Sequence, residues 1–275
     1  MPVELQKQTI LSPLMPKEER LCEHWWFGGW DRLVNCILAM AGRPTITTAP
    51  GDMAIDLHIH SMYSCCSISQ PANLIRQAVR IGLGAIAVMD HDNIQGALNA
   101  RIAAERLKSR GEIPPDFLVV PGVEVCSRAG HIGALFIEQN VSVNLSPAET
   151  VDEIHSRGGL AIAVHPYNSR GIGDAVLDVP FDAVEIECGS VFSNSVLSRN
   201  KSLAENNKVA ALAKLGSSDA HYVRAVGSCY TVVHDIERPT LDGLKKALMA
   251  GNCTPESSLP HKRIACLLGK IKKLR

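Results

Sequence analysis

The chain of 275 residues carries no net charge, because 28 basic side chains are matched by 28 acidic ones. No global field therefore marks it for nucleic acid or a membrane surface, although local patches remain open. It lacks an apolar run long enough for a signal peptide or a membrane span: Glu4, Gln6, Lys7 and Gln8, then Pro13 and Pro16, keep its start polar and broken. A cytoplasmic protein is expected. Internal repeats and low-complexity segments are missing, as are a Gly-x-Ser-x-Gly elbow and a Walker glycine loop, which removes two common hydrolase layouts. A secreted disulfide framework is not indicated either. The nine cysteines are odd in number and scattered through apolar segments, as reduced thiols would be. Cys65 and Cys66, adjacent, are the pair to follow.

Hydrophobic residues make up 46% of the chain, enough for one sizeable core. Residues 1–50 read as an N-terminal extension, 51–260 as the main domain and 261–275 as a basic tail that docks as a helix with a solvated face. All three tryptophans fall in the extension, in Trp25-Trp26-Phe27-Gly28-Gly29-Trp30, and the expectation is that they pack on the main domain. A short helix is expected over 33–40.

From residue 53 onward, apolar strand-like runs alternate with amphipathic helical patterns, the signature of βα units. Strands are predicted over 53–57, 85–89, 118–120, 132–137, 160–164, 183–186, 211–215 and 230–233. Helices are predicted over 71–81, 95–107, 147–157, 196–206 and 241–249, with Pro71 and Pro147 suited to a first turn.

Metal-ligating residue types recur where these strands end. His58 and His60, two apart at the end of the first strand, can offer imidazoles to one point. Asp90-His91-Asp92 follows the second strand and Glu124 follows the third. His131 opens the fourth, His165-Pro166 closes the fifth, and Ser217-Ser218-Asp219-Ala220-His221 follows the seventh. Singly, each has an ordinary explanation, such as a core histidine or a helix N-cap. Jointly, residues at the strand ends of a barrel converge on one mouth. Imidazoles with two carboxylates suit Zn, Mn or Fe better than Mg or Ca, and more than four ligands imply more than one ion.

In this order, Asp56-Leu57-His58-Ile59-His60-Ser61, Asp90-His91, Gly122-Val123-Glu124, His131, His165-Pro166 and Gly216-Ser217-Ser218-Asp219-Ala220-His221 resemble the motifs of the PHP (polymerase and histidinol phosphatase) superfamily. The resemblance implies an α/β fold, a distorted seven-stranded β/α barrel, here with a helical N-terminal extension and a basic C-terminal tail. It further implies two or three divalent transition-metal ions. His58, His60, Glu124 and Asp219 would hold one; Glu124 would bridge to a second held by His131 and His165; His91 and His221 would serve a third. Asp56 and Asp90 would orient imidazoles. Relatives carry Asp or His where Cys65 stands, so this cysteine ligates as a thiolate, leaves the third ion weak, or is an inert neighbour. Cys188-Gly189-Ser190 replaces a frequent Asn-Gly-Arg.

The implied activity is hydrolysis of a phosphate ester on a small phosphorylated substrate by a metal-activated hydroxide, with no protein nucleophile. Asp219 and His221 would be catalytic, His221 protonating the leaving group. Arg170, just after His165-Pro166, would clamp the phosphate, or else be an exposed loop arginine beside Gly171. Three rivals stand beside this reading. A nucleotide phosphodiesterase or exonuclease is disfavoured by the short run from His91 to Glu124. The others are a C–N or C–O hydrolase and a metal-stabilised binding module without catalysis.

Overall fold

The computed structural model describes residues 25–42, 45–191, 193–236 and 239–258 together with 263, 264 and 267, with side chains from residue 28 onward. Most of the expected basic tail, and the side chains of Trp25 and Trp26, lie outside the described residues.

Among the described residues, nine strands form one sheet in the order β7-β6-β5-β4-β3-β2-β1-β8-β9. The strands are β1 (Met53–Ile59), β2 (Ala85–Val88), β3 (Leu118–Cys126), β4 (His131–Leu135), β5 (Leu160–Ala163), β6 (Ala183–Cys188), β7 (Ala213–Ser217), β8 (Cys229–Val233) and β9 (Cys253–Ser257). The helices are α1 (Trp25–Met40), α2 (Pro71–Arg80), α3 (Gln95–Ser109), α4 (Pro147–Ser156), α5 (Asn194–Ser202) and α6 (Leu241–Met249). The seven strands of the expected barrel are β1 to β7, and the last two extend it. Pairing is parallel in β1–β2–β3 and β5–β6–β7, but β4 runs antiparallel to both neighbours, so the sheet is mixed. That reversal places the first residue of β4 at the rim where β3 ends.

The sheet curls until its ends nearly meet. Ile59 bridges Ala220, just past β7, with the His60 amide donating to the Ala220 carbonyl at 2.9 Å. Thr231 Oγ1 on β8 donates to the Gly216 carbonyl at 2.9 Å and accepts from the Gly216 amide at 3.0 Å. Gly216 is required there: a Cβ would come 2.5 Å from the Tyr230 carbonyl oxygen.

Burial on both faces explains the near-continuous apolar strands. Alternate residues such as Ile55, Leu57, Ala85, Ala87, Leu160 and Ile162 build one cluster, closed by Leu244 and Leu248 of α6. Ile86, Val88, Val123 and Ile132 turn the other way, to meet Leu74, Ala97, Val151 and other helical residues. Local signals set the helix starts. Proline opens α2, and Ser146 forms a capping box with Glu149 ahead of α4. Helix α1 begins well before the expected residue 33. It buries Val34 and Leu38, Trp30 Nε1 donates to Tyr222 Oη at 3.2 Å, and Asn35 Oδ1 accepts from the Arg224 amide.

Candidate metal centre

The six histidines at strand boundaries gather at one rim. Five of their rings form a closed circuit, with centroids 5.1 Å apart for His58–His60, 4.6 Å for His60–His91, 4.9 Å for His91–His131, 5.7 Å for His131–His165 and 5.6 Å for His165–His58. His221 joins at His60, 4.6 Å away. Glu124 occupies the middle of the circuit and is fully buried. Its two oxygens divide the rings: Oε2 faces His58 (3.6 Å), His60 (3.4 Å) and His91 (2.9 Å), while Oε1 faces His131 (2.8 Å) and His165 (3.1 Å). Asp219 Oδ1 approaches His60 Nε2 at 3.0 Å and His58 Nε2 at 3.6 Å. His165 (φ 29°) and Asp219 (φ 47°) adopt left-handed backbone, a conformation that side-chain-bearing residues seldom take and that concentrates at functional sites.

Hydrogen bonds on the outside of the cage fix which nitrogen looks inward. Glu185, buried on β6, accepts from His58 Nδ1 at 3.0 Å and from the His165 amide at 2.9 Å, leaving His58 Nε2 toward Glu124 and Asp219. Ser64 Oγ donates its single hydrogen to Asp90 at 2.6 Å, so it can only accept from His60 Nδ1 (3.3 Å) and the His91 amide (3.0 Å). His60 Nε2 is thereby left without a proton and faces Asp219. Two acceptors 3.0 Å apart call for a cation between them.

Electrostatics agree with this. Burial pushes His58 toward neutrality, yet Glu185, Asp219 and Glu124 together outweigh it and hold its pKa well above 6.5. Burial would also raise Glu124, but His58, His131 and His165 bring it well below the usual carboxylate range; Asp219 is lowered in the same way, chiefly by His58. Burial and the neighbouring His221 bring His60 down to about 3.

Unsatisfied atoms give an independent test of fit to metal ions. His58 Nε2, His91 Nδ1 and Glu124 Oε2 are buried without a hydrogen-bond partner; the last two lie 2.9 Å apart but are not aligned to share a hydrogen. Orphaned buried polar groups are costly, and convergent lone pairs remove the cost when a cation sits among them. His58, His60 and Asp219 form one group whose ligand atoms all lie within 4.8 Å of one another, and His58, Glu124 and His165 form another. These buried clusters could hold metal ions.

Asp56 does not orient an imidazole, and Asp90 acts on His60 only through Ser64. Asp56 accepts from the amides of Ser218 (3.0 Å) and Gly227 (2.7 Å), and Asp90 from the Ser61 amide (2.7 Å) and the Ser61 and Ser64 hydroxyls, so both brace backbone and serines. Glu185 orients His58 instead. Its only signal in the sequence was a carboxylate within an apolar strand. Cys65 is exposed, and of this adjacent pair it is Cys66 whose sulfur reaches the cage, within 4.8 Å of ring nitrogens of His60 and His91. Arg170 lies in the loop at the rim, where its carbonyl accepts from the His131 amide at 2.8 Å; its side chain is exposed.

Residues 56–170 match the PHP domain, and residues 199–253 match the PHP-associated region. An uncharacterized protein of Methanocaldococcus jannaschii is 34% identical over 146 residues, covering 49% of this chain and 81% of that one. Two solved structures share the fold. A two-domain protein from Bacteroides vulgatus containing a predicted PHP-like metal-dependent phosphoesterase has a TM-score of 0.60 at 20% identity, over 78% of this chain and 69% of that chain. PsfC from Pseudomonas syringae has a TM-score of 0.58 at 16% identity, over 82% of this chain and 99% of that chain. With the matched segments in order and the family's histidines and carboxylates drawn to one rim, this chain belongs to the PHP family.

Proposed function

We propose that this protein is a metal-dependent phosphoesterase acting on a small phosphorylated substrate. The observation that carries the reading is the division of Glu124, one oxygen toward His58 and His60 and the other toward His131 and His165, which suits a carboxylate bridging two ions. Zn, Mn or Fe fits such a nitrogen-rich set. His58, His60, Glu124 and Asp219 would hold one ion, Glu124, His131 and His165 a second, and His91 and His221 a third. Ions bound there would supply Lewis acidity, lowering the pKa of a water and neutralising charge on the phosphoryl oxygens.

The chain's own groups provide orientation. Glu185 keeps a proton on His58 Nδ1, and Ser64 keeps one on His60 Nδ1, so both rings present Nε2 inward. Asp219 aligns the reacting centre through its carboxylate while its carbonyl accepts from His221 Nδ1 at 2.8 Å. His221, half-buried at the edge, has only Nε2 left to offer, so it would pass a proton from there to the departing alkoxide when the third ion is absent, and ligate that ion when it is bound. Arg170, on the exposed side of the same rim, would pair its planar guanidinium with two phosphate oxygens.

Elemental analysis of the purified protein should find Zn, Mn or Fe, and one of these should support turnover of p-nitrophenyl phosphate or of the bis-p-nitrophenyl diester. Turnover should vanish when His58→Ala and His60→Ala are combined. Activity that survives that pair would defeat the assignment, and metal binding without any turnover would favour the binding module.

A further inference from the structure

The β3–β4 hairpin sets Cys126 directly opposite His131 and Glu124 opposite Gly133. Residues two apart on a strand share a face, so Cys126 turns its side chain to the face from which Glu124 enters the cage. His91 stands on the third side. It forms an isolated bridge with Glu124, and the Cys126 amide donates to Asp92 Oδ1 at 2.7 Å, tying the two segments together. As a result Cys126 Sγ and one ring nitrogen each from His91 and His131 lie within 4.8 Å of one another. A tetrahedral ion with metal–nitrogen bonds near 2.0 Å and metal–sulfur bonds near 2.3 Å needs its ligands roughly 3.5 Å apart, a short closure from there. The family motifs assign this sulfur no role.

We propose that Cys126, His91 and His131 form a two-nitrogen, one-sulfur site for a thiophilic divalent cation of the zinc class at the outer edge of the cage. Binding breaks the S–H bond heterolytically. The proton leaves to solvent, the sulfur electron pair goes to the cation, and nothing is oxidised or reduced. His91 and His131 each offer one nitrogen to one ion, so occupation here competes both with the neighbouring group of His60, Cys66 and His91 and with the ion that Glu124, His131 and His165 would hold. The soft ligand sets a preference for Zn, Co or Cd over Mn. The inference rests on the cage's capacity for cations but can fail separately from it.

The test is a Co²⁺ titration of the metal-free full chain carrying Cys66→Ser, so that Cys126 is the remaining sulfur in these clusters. Visible d–d bands report nitrogen and oxygen ligation, and a near-ultraviolet charge-transfer band reports thiolate. The charge-transfer band should appear, and adding Cys126→Ser should abolish it while the d–d bands persist, which also shows that the variant folds. A charge-transfer band that survives loss of Cys126, or d–d bands that grow without one, overturns the sulfur site and leaves the rest of the cage standing. Absence of both defeats the sulfur site and the phosphoesterase reading together. In the unaltered chain, Zn²⁺ should slow alkylation of Cys126, mapped by mass spectrometry, about tenfold or more. An unchanged rate would overturn the site as well.

Discussion

Glu185 and His58 show how a single buried contact sets the chemistry of the cage. With its pKa held well above 6.5, His58 carries a proton at neutral pH in the metal-free protein, and that proton sits where a cation would bind. The stabilisation from this charge is complete below pH 6.5 and is lost as pH rises through the elevated folded value. Metal binding at neutral pH should therefore release a proton from His58 and weaken as the pH falls, whereas His60, brought down to about 3, should release none. Glu185→Gln keeps a hydrogen-bond acceptor but removes the negative charge. Calorimetry in buffers of different ionisation enthalpy should show fewer protons released by that variant at pH 7. Equal release from the two proteins would mean that Glu185 does not govern His58. The six rim histidines were legible in the sequence because each falls at a boundary between an apolar run and a loop. Glu185 was not, since nothing in Ala183-Val184-Glu185-Ile186-Glu187-Cys188 says which strand face meets the histidines. Cys65 and Cys66 differ by one position inside a turn, and only the path of that turn decides which sulfur points inward.

Among the elements, β4 alters the architecture most. A regular alternation of strand and helix predicts parallel strands throughout, but only four residues separate β3 from β4, enough for a hairpin and too few for a crossover helix. The expected strands over 118–120 and 132–137 left eleven residues between them, and only the continuation of β3 to Cys126 shortens that gap to a hairpin loop. Strand β9 was hidden for a different reason. Cys253-Thr254-Pro255-Glu256-Ser257 lacks the alternation of a half-buried strand and contains a proline, which is tolerated because β9 is an edge. The close approach of β7 to β8 and β9 depends on Gly216. Gly216→Ala should destabilise the protein by about 1–3 kcal/mol, because the atom that its Cβ would strike is backbone and cannot rotate away. Urea denaturation monitored by circular dichroism measures this, and a midpoint equal to that of the unaltered chain would show that the sheet ends can part without cost.

At the scale of the molecule, the cage links strands from both ends of the barrel, joining β1, β3 and β4 to the turn beyond β7. Cations that bind only this arrangement stabilise the folded chain by mass action, by about 2.7 kcal/mol at a hundredfold excess over the dissociation constant. For a chain of this size that corresponds to roughly 5–10 °C in Tm. Adding Zn²⁺ or Mn²⁺ to chelator-treated protein should raise the melting temperature by about that much. A melting curve indifferent to metal would separate the cage from folding stability. The docking of α1 through Trp30, Asn35, Val34 and Leu38 gives the same barrel a second brace, on the segment that follows His221.

The dispersal of the cage along the chain also bears on biosynthesis. During translation His58 and His60 leave the ribosome early, while Asp219 and His221 emerge only after β7 has been made. A nascent polypeptide halted before that strand would expose most of the imidazoles and Glu124 but would lack the carboxylate that joins His58 and His60. Capture of metal by the assembled cage would thus be deferred until β7 and the turn that follows it have been synthesised.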